Sequence, residues 1–163
     1  MNLVLVTGGA GFIGSHTIVE LLLNGYNVVS LDNYSNSSPI IYDRILQIVN
    51  SSSASGKLFP VEGDLNDLNL LREIFQKYKI SSVIHFAGKK AVGESVNKPL
   101  DYYTANVSGT INLLRVMAES SVYRIVFSSS ATVYGSDATV PYSEKEPRGV
   151  PSSPYGSTKM QVE

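Results

Sequence analysis

Cysteine is absent from the 163-residue chain, which excludes disulfides, thiolate zinc sites and a cysteine nucleophile. Histidine occurs only at His16 and His85, too few and too isolated for a metal centre, so no metal is expected. No apolar run approaches the ~20 residues that span a bilayer. The opening Met1-Asn2-Leu3-Val4-Leu5-Val6 has no basic start and does not read as a secretory leader. Thirteen basic side chains oppose fourteen acidic ones without any block of like charge, which argues against nucleic-acid and membrane-surface partners. A cytoplasmic protein is the expectation these absences leave. What is present is enough apolar residue, 43% of the chain against 17% charged, to bury one core in a chain about one domain long.

Short apolar runs alternate with segments of helical period, the pattern of a parallel sheet covered by helices on both faces. Strands are expected over Leu3–Thr7, Asn27–Asp32, Leu58–Asp64, Ser82–Gly88 and Tyr123–Ser129. Ile13, Thr17, Ile18, Leu21 and Leu22 share one helical stripe, and Gly25 stands where a helix closes. Ile40 to Asn50 is a further helix, followed by a flexible Ser51–Gly56 loop. Leu68, Leu71, Phe75 and Tyr78 mark another helix, with Asn66 and Asp67 placed to cap it. A longer one starts near Pro99 and points Tyr103, Val107, Ile111, Leu114 and Met117 inward. Beyond the fifth strand, Pro141, Pro147, Pro151 and Pro154 lie in a long aperiodic stretch of the functional kind, and a last helix opens around Tyr155. The end at Glu163 reads as a truncation.

Gly8-Gly9-Ala10-Gly11-Phe12-Ile13-Gly14 joins the first strand to the first helix. A diphosphate needs such a turn: a backbone free to take positive φ, no side chain in the way, and free N–H groups at a helix start. Either Gly8 or Gly9, with Gly11 and Gly14, meets that need. Asp32 ends the second strand, 21 residues beyond Gly11, where a carboxylate accepts both hydroxyls of an adenosine ribose and repels a 2′-phosphate. No arginine follows it, so NAD is favoured over NADP.

Tyr155 and Lys159, four apart, project from one helix face. An ammonium ~4 Å from a phenol at an effective dielectric of ~20 favours phenolate by about 4 kcal/mol before desolvation, which suits the phenol to act as a base. Ser128-Ser129-Ser130-Ala131-Thr132 follows the fifth strand, at the edge where such sheets bind ligands, and supplies hydroxyls to steer a reacting oxygen. His16 and His85 read as structural.

As a set, these residues resemble the extended short-chain dehydrogenase/reductase family. The likeness runs through Thr7-Gly8-Gly9-Ala10-Gly11-Phe12-Ile13-Gly14, Asp32-Asn33, Gly63-Asp64-Leu65, His85-Phe86-Ala87-Gly88, Lys90-Ala91-Val92-Gly93-Glu94-Ser95, Ser128-Ser129-Ser130-Ala131-Thr132 and Pro154-Tyr155-Gly156. The lysine and serine blocks are similar to its nucleotide-sugar epimerase branch. The resemblance implies an α/β, Rossmann-type doubly wound parallel sheet, truncated after the fifth strand and the start of the catalytic tyrosine helix, with residues 1–163 forming an incomplete NAD-binding domain and a C-terminal substrate domain lacking.

It further implies NAD held by Phe12 and Ile13 at the diphosphate, by Asp32, Asn33, Asn36 and Ser37 around the adenosine, and by Asp64 and Leu65 beside adenine. Phe86, Ala87, Gly88 and Lys90 would follow the nicotinamide ribose. Tyr155 would be the base, Lys159 its partner and a ribose ligand, and Ser130 the hydrogen-bond donor to the reacting hydroxyl with Thr132 nearby. The implied reaction oxidises the C4 hydroxyl of a UDP-sugar to a ketone, turns the ketone and returns hydride to its other face. Members that dehydrate nucleotide sugars carry an Asp-Glu pair where Ala131-Thr132 stands, and elimination needs that extra acid and base. Members pair through the helix bearing Tyr103 and Met117 together with the tyrosine helix, which implies a homodimer for a longer chain.

Three departures stand out. Lys89 replaces a usual leucine, Ala105 replaces the first of two asparagines, which leaves open whether Asn106 compensates, and the chain stops where the family continues. Tyr155 and Lys159 are then expected on a frayed end, with feeble or no activity. Another epimerase or reductase of the family, or a non-catalytic NAD-binding fragment, fits the same residues.

Overall fold

Val4, Leu5, Val6 and Thr7 are all buried, as a strand between two others and under helices on both faces requires. They belong to β1 (Leu3–Thr7), which pairs in parallel with β2 (Asn27–Asp32) on one side and β4 (Ile80–His85) on the other. The computed structural model describes residues 3–52, 56–136 and 138–163. The outer strands are β3 (Leu58–Glu62), beside β2, and β5 (Ile125–Phe127), beside β4, giving a parallel sheet of order β3-β2-β1-β4-β5. Pro60 sits within β3, where an edge strand tolerates the missing N–H. The sheet is of the Rossmann type.

Alternation along the strands divides the core. Val4, Val6 and Val28 face α1 (Phe12–Leu23) and α2 (Ile40–Asn50), meeting Ile18, Leu22, Tyr42, Ile45 and Val49. Leu5, Val29, Leu31 and Val83 face α3 (Leu68–Lys77) and α6 (Gly109–Glu119), meeting Leu71, Ile74, Phe75, Leu113, Val116 and Met117. Between these helices lie α4 (Val92–Asn97), α5 (Pro99–Tyr102, with Pro99 in its first turn) and a π-helical turn (Tyr103–Ser108) that runs into α6. A 3-10 turn (Ala131–Tyr134) and α7 (Pro154–Val162) follow β5.

Capping agrees with the residue types. Asp67 accepts the N–H groups of Asn69 and Leu70 at the start of α3, an arrangement worth about 1 kcal/mol. Asn66 does not cap; its backbone and side-chain nitrogens donate to Asp64. At the end of α1 the N–H of Gly25 meets Leu22 and that of Tyr26 meets Leu21. Ser51 and Ser52 form a turn, while residues 53–55 of the expected loop lie outside the described residues.

Four expectations need correction. The third strand ends at Glu62, the fourth spans Ile80–His85, and the fifth keeps only its middle three residues, because the carboxyl ends of all three turn away to line a cleft. Ile13 is 58% exposed on the cleft rim, not in the α1 core stripe. The inward face of the long helix is Tyr102, Asn106, Thr110, Leu113 and Met117; Met117 is as expected, the other four each stand one residue before the expected position, and Ile111 and Leu114 are exposed. Apolar spacing misled because this face carries polar groups, Asn106 and Thr110, which find hydrogen-bond partners inside the core. The expected frayed end is docked: α7 packs on the π-helical turn, α4 and α5, and Thr158 and Lys159 are buried. Among the described residues no helix is long and apolar enough to cross a membrane.

Candidate active site

The order β3-β2-β1-β4-β5 sends the chain from one edge of the sheet back past β1, so the turns after β1 and β4 leave in opposite directions. Between them, at the carboxyl ends of the strands, opens a cleft of about 580 Å³.

One wall is the glycine turn. Gly8 has φ of +69°, and a Cβ there would sit 2.7 Å from the Ala87 nitrogen. At Gly14 a Cβ would lie 2.2 Å from the Gly8 carbonyl oxygen. Gly11 differs: its Cβ would meet only that same carbonyl, at 3.2 Å, and would otherwise stand in the cleft. Gly9 faces away, against Ser30, so Gly8, Gly11 and Gly14 are the three that line the cavity. The start of α1 has no side-chain cap and no acidic residue in its first turn. Its first N–H groups lack intrahelical partners and carry the positive end of the helix dipole, with Phe12 and Ile13 beside them on the rim. A smooth, donor-rich, uncapped concavity fits a diphosphate.

Asp32 stands beside it, 8% exposed. Oδ2 accepts the Ala10 N–H at 2.9 Å, and Oδ1 accepts the Tyr34 N–H and the Ser37 hydroxyl, each at 2.9 Å. A carboxylate offers about four acceptor positions, so three are taken. One position is left, and Ser37, which ties down Asp32, does not itself line the cleft. Asn33 and Asn36 do line it. Asn33 donates to Asp64 at 2.6 Å. Burial would raise the Asp64 pKa, but hydrogen bonds from the Asn66 backbone, Asn33 and the Asn66 side chain outweigh it and hold the carboxyl below its ordinary range. Leu65 completes this end.

The opposite end is formed by Phe86, Ala87, Gly88, Lys89 and Lys90 after β4, and by Tyr155 and Lys159 on α7. Lys89 places its ammonium 5.8 Å from the centre of the Tyr102 ring. Ala105 lines the cleft, but Asn106 does not compensate for it: both ends of its amide are spent on Lys89 and Thr158. Ser153 caps α7 by accepting the Gly156 N–H. Lys159 is 6% exposed, donates to the Ser128 carbonyl at 2.9 Å and lies 4.8 Å from the Phe127 ring centre. Burial lowers its pKa to about 8, so it is a cation at neutral pH with little margin. The same burial, with the charge of Lys159 added, lowers His85 to about 4.

Ser130 and Thr132 lie outside the main cleft. The Ser130 hydroxyl accepts both the N–H and the hydroxyl of Thr132, capping the 3-10 turn, and opens onto an adjoining hollow shared with Tyr134, Tyr142 and Glu144. Ser129 borders both spaces. Leu31, Ser35 and Gly63 also line the cleft and escaped the sequence reading; their place at the carboxyl ends of β2 and β3 was the available signal. His16 donates to the Phe12 carbonyl on the outer side of α1. Among the described residues no three His, Asp or Glu side chains gather as metal ligands.

A profile of the GDP-mannose 4,6 dehydratase family matches residues 5–163. The chain belongs to that family, within the extended short-chain dehydrogenases/reductases. Among the family's members, the UDP-glucose 4-epimerase of Neisseria meningitidis serogroup B is 53% identical over 164 residues, covering all of this chain and 47% of that protein. The structure of the Bifidobacterium longum UDP-glucose 4-epimerase in complex with NAD+ and UDP superposes with a TM-score of 0.93 at 48% identity, over 99% of this chain and 47% of that one. That of Stenotrophomonas maltophila, with bound NAD and formylated UDP-arabinopyranose, gives 0.90 at 42% identity, over 99% and 46%. The chain thus spans about half the length of the relatives it matches. The family match takes in the glycine turn, Asp32 and α7, so every wall of the cleft lies within it.

Proposed function

We propose that this chain is the dinucleotide-binding part of an NAD-dependent UDP-glucose 4-epimerase, acting on UDP-galactose and UDP-glucose in galactose metabolism. One observation carries the reading: a single cleft is lined by an uncapped glycine turn, a ribose-seeking carboxylate and a Tyr-Lys pair. NAD fits those walls. Gly8, Gly11, Phe12, Ile13 and Gly14 would hold its diphosphate, Asp32, Asn33, Asn36 and Ser37 its adenosine ribose, and Asp64 and Leu65 the adenine side. Phe86, Ala87, Gly88, Lys90, Tyr155 and Lys159 would hold the nicotinamide ribose. NAD bound there supplies a reversible hydride acceptor.

The chain's own residues do the proton work. Tyr155 takes the proton of the sugar hydroxyl and later returns it, while the Lys159 ammonium, fixed by the Ser128 carbonyl, stabilises negative charge on the phenol. Ser130, whose hydroxyl accepts from Thr132 in capping the turn and keeps its own proton to give, orients the reacting oxygen from the adjoining hollow, with Thr132 beside it. Ala131 and Thr132 contain no carboxyl, which supports epimerisation over the dehydration that gives the family its name. The UDP-sugar is gripped by the half of the relatives' length that this chain does not span, and the homodimer would form through α6 and α7. Titrating the chain with NAD in a calorimeter and following UDP-galactose conversion tests this. Binding with feeble turnover is the expected result; no binding refutes the reading, and turnover equal to that of a full-length epimerase refutes the need for the remaining half.

A further inference from the structure

Behind the cleft, two runs of buried and half-buried hydrogen bonds lie between β1 and α7, one ending on the Asn106 backbone and the other starting from its side chain, and each hydroxyl in them has only one proton to give. Thr110 gives its proton to the Asn106 carbonyl at 2.5 Å. Against His85 Nε2, at 2.8 Å, it must therefore accept, which puts the ring hydrogen on Nε2. The ring is 1% exposed and neutral at pH 7, so Nδ1 is bare and accepts the Thr7 hydroxyl at 2.6 Å. Thr7 Oγ1 in turn accepts the Ala87 N–H at 3.3 Å.

The far end is equally determined. Lys89 N–H needs an acceptor and finds Asn106 Oδ1 at 2.8 Å; the Lys89 carbonyl needs a donor and finds Asn106 Nδ2 at 3.0 Å. This fixes the amide's orientation and leaves its second Nδ2 hydrogen for Thr158 Oγ1, at 3.0 Å. Thr158 passes its own proton to the Tyr155 carbonyl at 2.7 Å. The direction of every bond follows, from the Ala87 amide and the His85 ring to the backbone of the tyrosine itself. These contacts tie the first turns of α7 to the π-helical turn and to the 87–89 turn.

We propose that His85, held as the neutral tautomer protonated on Nε2, is a positioning residue: through Thr110, Asn106 and Thr158 it sets Tyr155 and Lys159, whose tasks rest on the functional reading above, against the 87–89 turn that floors the cleft.

The test is ¹⁵N NMR of the His85 ring at pH 7, joined to amide hydrogen exchange in the unaltered chain, in Thr110→Val and in Thr110→Ser. Nε2 should be protonated and Nδ1 not. Thr110→Val, which keeps the shape and removes the hydroxyl, should speed exchange of the Lys89, Thr158 and Lys159 amides about tenfold or more relative to those of α1 and α2 on the other face of the sheet. Thr110→Ser should bring them back to within about threefold. An Nδ1-protonated or doubly protonated ring overturns the proposal, as does acceleration equal in all helices, unchanged exchange at Lys89 and α7, or no rescue by serine. Should Thr110→Val fail to fold, the tautomer of the unaltered chain decides alone. NAD titration of the same samples keeps the two questions apart: a chain that ignores NAD yet shows the tautomer and the exchange pattern fails the functional reading and supports the relay.

Discussion

At the glycine end of the cleft, the walls come mostly from one continuous stretch: β1, its turn, α1, β2 and the loop after it. At the tyrosine end, α7 is held by Asn106 to Thr158, separated by 52 positions, and by the Lys159 bond to Ser128, separated by 31. The first end is shaped by what is missing, namely side chains at Gly8, Gly11 and Gly14 and a cap on α1. The second is shaped by polar side chains that must all find one another. A site made of backbone forms when its strand and helix form, whereas a site made of a buried polar network depends on every member being satisfied.

Asn106→Asp should break the tyrosine end most severely. The new carboxylate sets oxygen against the Lys89 carbonyl in a position 4% exposed, and a loss of about 3–5 kcal/mol is expected in urea unfolding. Acid should act next. His85 titrates at about 4 when folded and about 6.5 when unfolded. Below pH 6.5 the unfolded chain therefore binds a proton the folded one refuses. Stability is full above that pH and falls by about 3 kcal/mol as pH drops to about 4, where the folded ring protonates too and the loss levels off. Unfolding midpoints measured from pH 7 down to pH 4 check this.

Gly11→Val sharpens the contrast from the other side. Gly11 has φ of −72° and ψ of 171°, which any residue adopts, and its Cβ would point into the cleft. NAD affinity should fall about 100-fold or more, roughly 2.7 kcal/mol, with only a small drop in melting temperature from the 3.2 Å approach to the Gly8 carbonyl oxygen. The smallest effect is expected from Asp67→Ala, which removes the cap of α3 and touches neither end. It should cost about 1 kcal/mol in stability and leave NAD titration unchanged. A cap variant that altered NAD affinity would show the two ends to be less separable than their construction suggests.

The legible parts were local. β1, β2 and α2 occupy the expected residues, and the glycine turn, Asp32 and the α7 pair reach one cleft as their order along the strands implies. The illegible parts were those where polar residues stand in for apolar ones. The inward face from Tyr102 to Leu113 was misread by one position, Met117 alone being placed correctly, because Asn106 and Thr110 do not look like core residues in a hydrophobic pattern. His85 read as a structural strand residue, and burial at 1% agrees, but its two partners lie 78 and 25 positions away. No spacing rule connects Thr7, Thr110 and Thr158. Likewise Asp32 reads in the sequence as a free carboxylate, without sign that Ala10, Tyr34 and Ser37 already occupy most of its acceptor positions.

The amino-acid sequence by itself determined the alternation of strand and helix, the bare turn after β1 and the absence of any side chain at three points of it, because these depend on propensities and sterics within a few residues. Only the tertiary structure decided which hydroxyl faces which imidazole nitrogen, why burial brings the Lys159 pKa down to about 8, and that Asn106 serves Lys89 and α7 and not the cleft. Burial removes the water that would otherwise satisfy these groups, so their partners are set by which elements the sheet brings together, and that is a property of the packed whole.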